Sequence, residues 1–224
     1  LPRYLALDGH RTRIHEGAVT RGLLANASLL ILILPPAPLG ETETGAIVEF
    51  VASGGSLLAL GDHTDLLGTM GPMNRLLDRF GMALRFDSAY PAVHEWRGCL
   101  EGPGLNRRSF TGIGTGASIQ TWGATRPLVI GRYALSDAGD RKNTGRGAYL
   151  GDYSYQAGEQ LSDLVLAARR THGLGRVVAF GDTASFQNLL LPRSSPFVAR
   201  RVDELGRPAP AARDLCALSA GIAA

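Results

Sequence analysis

Lysine is almost missing from this chain: of its 23 basic residues only Lys142 is a lysine, and the other 22 are arginines. Cysteine is scarce too, with Cys99 and Cys216 far apart and in no CxxC or CxxH spacing. That excludes a zinc knuckle, a dithiol redox motif and a multiply stapled scaffold, and leaves a single disulfide open. The longest apolar run, Ala27 to Leu34, falls well short of the ~20 residues that span a bilayer, so this segment is not expected to insert into a membrane. No charged-then-apolar signal sequence opens the chain. A dense basic stripe interleaved with aromatics is also lacking. Arginines stand singly or in pairs (Arg107-Arg108, Arg169-Arg170, Arg200-Arg201) among 20 acids, the net charge is only +3, and no nucleic-acid partner is expected.

What is present is an ordinary globular composition. The 224 residues are 45% hydrophobic and 19% charged, enough to bury roughly 70% of the extended-chain surface in a layered core. The chain reads as a single domain over 1–224 that needs no metal or cofactor for stability. Its start without methionine and its end in Ala-Leu-Ser-Ala-Gly-Ile-Ala-Ala suggest a piece excised from a longer protein.

Ala27-Ser-Leu-Leu-Ile-Leu-Ile-Leu34, closed by Pro35-Pro36, predicts a strand buried on both faces of a parallel sheet. Upstream, Arg11 to Ile14 suits a short strand and Val19 to Ala25 a helix, with an earlier first strand lost before Leu1. Acidic and threonine residues at Leu39-Gly-Glu-Thr-Glu-Thr44 start a helix that carries Ala46, Ile47, Phe50 and Val51 on one face and stops at Gly54-Gly55. Ser56-Leu-Leu-Ala-Leu60 follows as a second buried strand, giving a parallel crossover. Met73, Leu76, Leu77 and Phe80 form another helical stripe ending at Gly81, with Leu84 and Phe86 alternating after it. The glycine-rich stretch from about Ser88 to Asp152, including a strand at Pro127 to Gly131, reads as decoration. Leu164 to Arg170 and Arg176 to Phe180 predict a closing hairpin near the C-terminus. A helix from Ser195 to Leu205, capped by Ser194 or Ser195 with Pro196 at its first position, ends the reading. The expected class is α/β: a three-layer sandwich with a mostly parallel sheet of the flavodoxin-like kind.

Two buried strands run directly into Gly-Asp, at Gly61-Asp62 and Gly181-Asp182. Ligands of open α/β sheets gather outside the carboxyl ends of strands, so both turns are expected to face one crevice. The competing explanation is that each aspartate caps the next segment by accepting backbone N–H bonds. His63, between Asp62 and Asp65, is the first histidine to consider for catalysis or metal binding, although no second histidine lies near it in sequence. His94-Glu95 beside Gly98-Cys-Leu-Glu-Gly102 invites a thiolate reading, but no buried strand precedes Cys99 as a nucleophile elbow requires. Gly112-Ile-Gly-Thr-Gly116 matches neither phosphate-loop pattern and fits a bulge or turn.

The stretch Ile47-Val-Glu-Phe-Val-Ala-Ser-Gly-Gly-Ser-Leu-Leu-Ala-Leu-Gly-Asp-His-Thr-Asp65 resembles the class I glutamine amidotransferase-like superfamily, and Gly173-Leu-Gly-Arg-Val-Val-Ala-Phe-Gly-Asp182 looks like its closing strand. The resemblance covers roughly 27–90 and 150–200 and is nearest to non-catalytic branches: ThuA-like, GldG-like and DUF4350-type domains. True amidotransferases carry a cysteine within GxCxG where this chain has Gly61-Asp62-His63, so glutamine hydrolysis lacks its nucleophile. The resemblance implies Asp62, His63 and Asp182 as crevice-lining positions, and a domain tethered to a bacterial membrane through segments outside this chain.

The leading expectation is a non-catalytic ligand-binding or interaction domain. A small polar ligand, a carbohydrate among the options, would meet Asp62, His63, Thr64 and Asp65 from one strand end and Asp182, Thr183 and Ser185 from the other, since hydroxyls, carboxylates and imidazole all hydrogen-bond to sugar hydroxyls. Other domains of the full-length protein are the alternative partners. The rival reading is a hydrolase with His63 as general base and Asp62 or Asp182 orienting it or holding a metal. A third is a scaffold that binds a protein through an exposed apolar patch.

Overall fold

The computed structural model describes residues 1–35, 37–92, 100–101, 107–108, 115–138, 151–187 and 190–207. In chain order the elements are α1 (Pro2–Leu7), α2 (Arg21–Leu24), β1 (Leu29–Ile33), α3 (Glu41–Ala52), β2 (Ser56–Leu60), α4 (Met70–Asp78), β3 (Met82–Leu84), β4 (Asp87–Pro91), β5 (Leu100–Glu101), β6 (Arg107–Arg108), β7 (Ile119–Thr121), β8 (Arg126–Ala138), β9 (Gln160–His172), β10 (Gly175–Phe180) and α5 (Leu191–Gly206). An eight-stranded sheet runs β1-β2-β10-β9-β8-β5-β6, with β4 also paired to β8, and β3 pairs with β7 in a small second sheet.

Strand alternation builds the two sides of the core. From β2, Leu58 and Leu60 join Val178, Phe180, Phe197, Val198 and Val202 beneath α5. Leu57 and Ala59 point the other way and pack with Ile47, Val51, Leu76 and Phe80 from the α3 and α4 side. Period-two side chains on a strand thus serve both helical layers, which is the three-layer α/β arrangement. Phe180 meets Phe186 and Phe197 with ring centroids 5.7 and 5.5 Å apart.

The parallel pairing expected from the sequence occupies β1-β2-β10, with Leu30 opposite Leu57 and Leu57 opposite Val177. From β10 outward the pairings are antiparallel. The reason is connection length: only Gly173 and Leu174 separate β9 from β10, and a parallel return needs a dozen residues or more. Gly173 turns there at φ +59°, and a Cβ on it would stand 2.7 Å from Ala52 Cα.

Several local expectations change. The run at 27–34 shortens to β1 and ends the strand order, so it is an edge strand whose residues are only half-buried, with Ile33 48% exposed, rather than covered on both faces. Arg11 to Ile14 forms no strand, and the helix read at Val19 to Ala25 contracts to α2, where Thr20 Oγ1 accepts the Leu23 N–H at 3.2 Å. The last helix begins at Leu191 instead of Ser195, with Pro192 in its first turn. Pro196 lies inside it and cannot donate to the Pro192 carbonyl, which accepts from Ser195 Oγ at 3.3 Å instead. His94, Glu95, Cys99, Cys216 and the start of the glycine cluster at Gly112 lie outside the described residues. No helix among the described residues is long and apolar enough to cross a membrane.

Candidate functional site

Because β2 and β10 are parallel neighbours in register, Leu60 opposite Phe180, both Gly-Asp turns leave the sheet at the same edge. Asp62 Oδ1 accepts the His63 N–H at 2.9 Å, and its Oδ2 accepts the Thr183 hydroxyl at 2.8 Å. Thr183 Oγ1 in turn accepts from Gln187 Nε2 at 2.9 Å. The His63 ring places Nδ1 2.8 Å from Thr64 Oγ1 and Nε2 3.7 Å from Asp62 Oδ1. Asp182 Oδ1 accepts the Ala184 N–H at 2.6 Å. The structure therefore brings Asp62, His63, Thr64 and Thr183 into one network and sets Asp182 beside it.

The other two positions face elsewhere. Asp65 Oδ1 accepts the Met70 N–H at 2.8 Å and so caps α4. Ser185 is fully buried, its carbonyl accepts from Ser194 Oγ, and its own hydroxyl has no partner among the described residues.

Asp62, His63, Thr64, Asp182 and Thr183 are all buried. The cover over β10 is the strip at residues 116–118: the Ala117 N–H donates to the Gly181 carbonyl at 2.8 Å, and a Cβ on Gly116 would stand 2.7 Å from that oxygen and 2.8 Å from Asp182 Cβ. The glycines of the two turns thus permit close approach, Gly61 to Leu84 and Gly181 to the Ala117 carbonyl. Burial raises the Asp62 carboxyl above its ordinary value, opposed in part by the hydrogen bonds it accepts from His63 and Thr183. Burial also lowers the His63 imidazole, with the Asp62 charge pulling the other way. Desolvation is the larger influence on both and favours their neutral forms. The loop is strained: Thr64 and Asp65 hold φ of 39° and 57°, left-handed backbone that a β-branched residue rarely adopts.

A cavity of about 480 Å³ lies apart from this network, lined by Asn74, Arg85, Asp87, Gln120, Ser136 and Gln160 among others. Arg85 Nη1 donates to Gln160 Oε1 at 2.7 Å, and Asn74 exchanges hydrogen bonds with the Leu84 backbone at 2.8 and 2.9 Å. Asp87, under the cavity, accepts from Ser118 Oγ and Ser136 Oγ, both at 2.5 Å. These residues come from segments scattered between 74 and 160, and no local motif joins them. For metal ions, Asp8, His10 and Asp203 are the group among the described residues whose ligand atoms lie within 4.8 Å of one another. The Asp62–His63–Asp65 loop is not such a group.

No protein-family model matches the chain, and no curated protein matches it. Among solved structures it is similar to the mmIFT52 N-terminal domain, at TM-score 0.68 and 12% identity over 92% of this chain and 88% of that one. At that identity the likeness speaks for the fold alone. Gan42B, a GH42 β-galactosidase, aligns at TM-score 0.45 and 15% identity over 83% of this chain and 22% of its own. A β-galactosidase from Rahnella sp. R3 aligns at TM-score 0.40 and 14% identity over 81% of this chain and 23% of its own.

Proposed function

We propose that this chain is a non-catalytic binding domain for a small polyhydroxylated ligand, housed in the cavity beside Arg85 and Gln160. The observation that carries the reading is the lining of that cavity, about 480 Å³ with three amides, a guanidinium and two carboxylates among its walls. Such groups both donate to and accept from sugar hydroxyls. The Asp62–His63–Thr183 network supports it from the other side, since its polar atoms are turned onto one another and the strand turn carries no cysteine. Placement among non-catalytic amidotransferase-like domains, and tethering to a membrane through other segments, rest on the sequence resemblance and belong to the same proposal.

The test is a thermal-melting screen of mono- and disaccharides on wild type, Gln160→Ala and His63→Ala. A ligand specific for the native state raises the melting temperature. The expected result is a saccharide that stabilises wild type and His63→Ala alike and loses its effect in Gln160→Ala. A shift lost only in His63→Ala returns the site to the Gly-Asp edge, and no shift with any saccharide favours a protein-binding scaffold.

One observation favours the hydrolase reading: the left-handed Thr64 and Asp65 backbone follows His63 directly, and stored strain of about 1–3 kcal/mol per residue gathers at active sites. Turnover of chromogenic esters or glycosides that disappears in His63→Ala would establish it over the binding reading.

A further inference from the structure

At the opposite end of the sheet from the Gly-Asp turns, three arginines from three adjacent strands share one face. Arg126 on β8 stands directly opposite Arg169 on β9, and Arg176 on β10 stands opposite Thr171, two residues further along β9. Alternation along a strand puts Arg169 and Thr171 on the same side, so all three guanidinium groups leave the sheet toward α5. Together with Thr171 and Glu204 they line a cavity of about 150 Å³.

Like charges placed directly across two strands repel, and such pairs are destabilising unless something neutralises them. Arg126, directly opposite Arg169, donates through Nη1 to the uncharged carbonyls of Gly123 and Thr125 at 2.9 and 3.0 Å, and Arg176 Nη1 donates to the Glu204 carbonyl. Glu204 is the acid in the lining, and its carboxylate is held by Arg201 Nη1 at 2.6 Å. The Arg169 Nε–H is occluded from solvent and has no acceptor among the described residues. A guanidinium is always charged and offers a planar fork of donors suited to phosphate oxygens.

We propose that this cavity binds a tetrahedral oxyanion of the phosphate class, free or as the phosphate group of a larger molecule, held by Arg169 with Arg126 and Arg176 beside it. The site is independent of the cavity near Gln160, and it gives the arginine-rich composition a local use.

Thermal melting and titration calorimetry with inorganic phosphate, against chloride at matched ionic strength, test the proposal. Phosphate is expected to raise the melting temperature of wild type and of Gln160→Ala equally, and Arg169→Met to bind it about tenfold more weakly, the loss of one charge-assisted contact. In chloride alone Arg169→Met is expected to melt no lower than wild type, because a repulsion has been removed. Should that variant fail to fold, Arg126→Gln at the exposed side of the cavity takes its place. Glycerol phosphate in a parallel titration separates the sources: tighter binding than inorganic phosphate assigns an attached phosphate group, weaker binding a free ion. No stabilisation beyond chloride, or stabilisation unchanged in both arginine variants, overturns the proposal.

Discussion

The two Gly-Asp turns have the same two residues, follow neighbouring parallel strands and leave the sheet at one edge, yet the fold uses them differently. At Gly181 a Cβ would collide with the Ala117 backbone carbonyl, whereas at Gly61 it would collide with the end of the Leu84 side chain. Backbone cannot swing aside and a leucine methyl can. Asp62 reaches across to the Thr183 hydroxyl and couples the two turns, while Asp182 accepts the N–H of Ala184 on its own turn. A motif repeated in sequence marks a repeated local geometry, and the neighbours then decide how tightly each copy is held.

The sharpest way to break the comparison is Gly181→Ala, expected to cost upward of about 3 kcal/mol because overpacking against backbone finds no relief, measured by urea unfolding. Asp62→Ala comes next. It orphans the buried Thr183 hydroxyl and the His63 N–H, at a cost of about 2 kcal/mol, and the effect of Thr183→Val in the same background should shrink in a double-mutant cycle. Asp62→Asn should cost less, since it keeps an acceptor and removes the charge that burial disfavours. Gly61→Ala follows at about 1 kcal/mol, the Leu84 side chain rotating away.

The smallest expected effect is on pH dependence. The His63 imidazole is lowered from 6.5 by burial, so the unfolded chain takes up a proton that the folded one resists. Its stabilising contribution is complete above pH 6.5 and is lost as the pH falls below that value. Asp62 acts with the opposite sign: raised from 3.8, it favours the fold most below pH 3.8 and less as the pH climbs through its folded value. Unfolding free energies of wild type and His63→Asn between pH 7.5 and about 5 check this, with the variant expected to show the shallower decline.

Much of the parallel half was legible. Apolar runs at 56–60 and 176–180 became β2 and β10 in place, because a strand that faces both helical layers is apolar along most of its length. The stripe at Met73, Leu76, Leu77 and Phe80 is buried as its spacing implies. The run at 27–34 forms a half-buried edge strand, since apolar content does not distinguish an edge strand from a central one. The cavity near Gln160 was illegible. Asn74, Arg85, Gln120 and Ser136 carry no shared pattern, and pairing of β4 with β8 and of β3 with β7 assembles the segments around it.

By itself the sequence determined the α/β class, the crossover from β1 through α3 to β2, and the placing of Asp62 and Asp182 at strand ends. These follow from hydrophobic periodicity and turn chemistry, which act over a few residues. Only the tertiary structure decided that residues 116–118 cover Asp182, that Asp62 is tied to Thr183, and that Arg126, Arg169 and Arg176 meet on one face. Those outcomes depend on pairing register and on contacts between residues distant in the chain, and no local pattern encodes them.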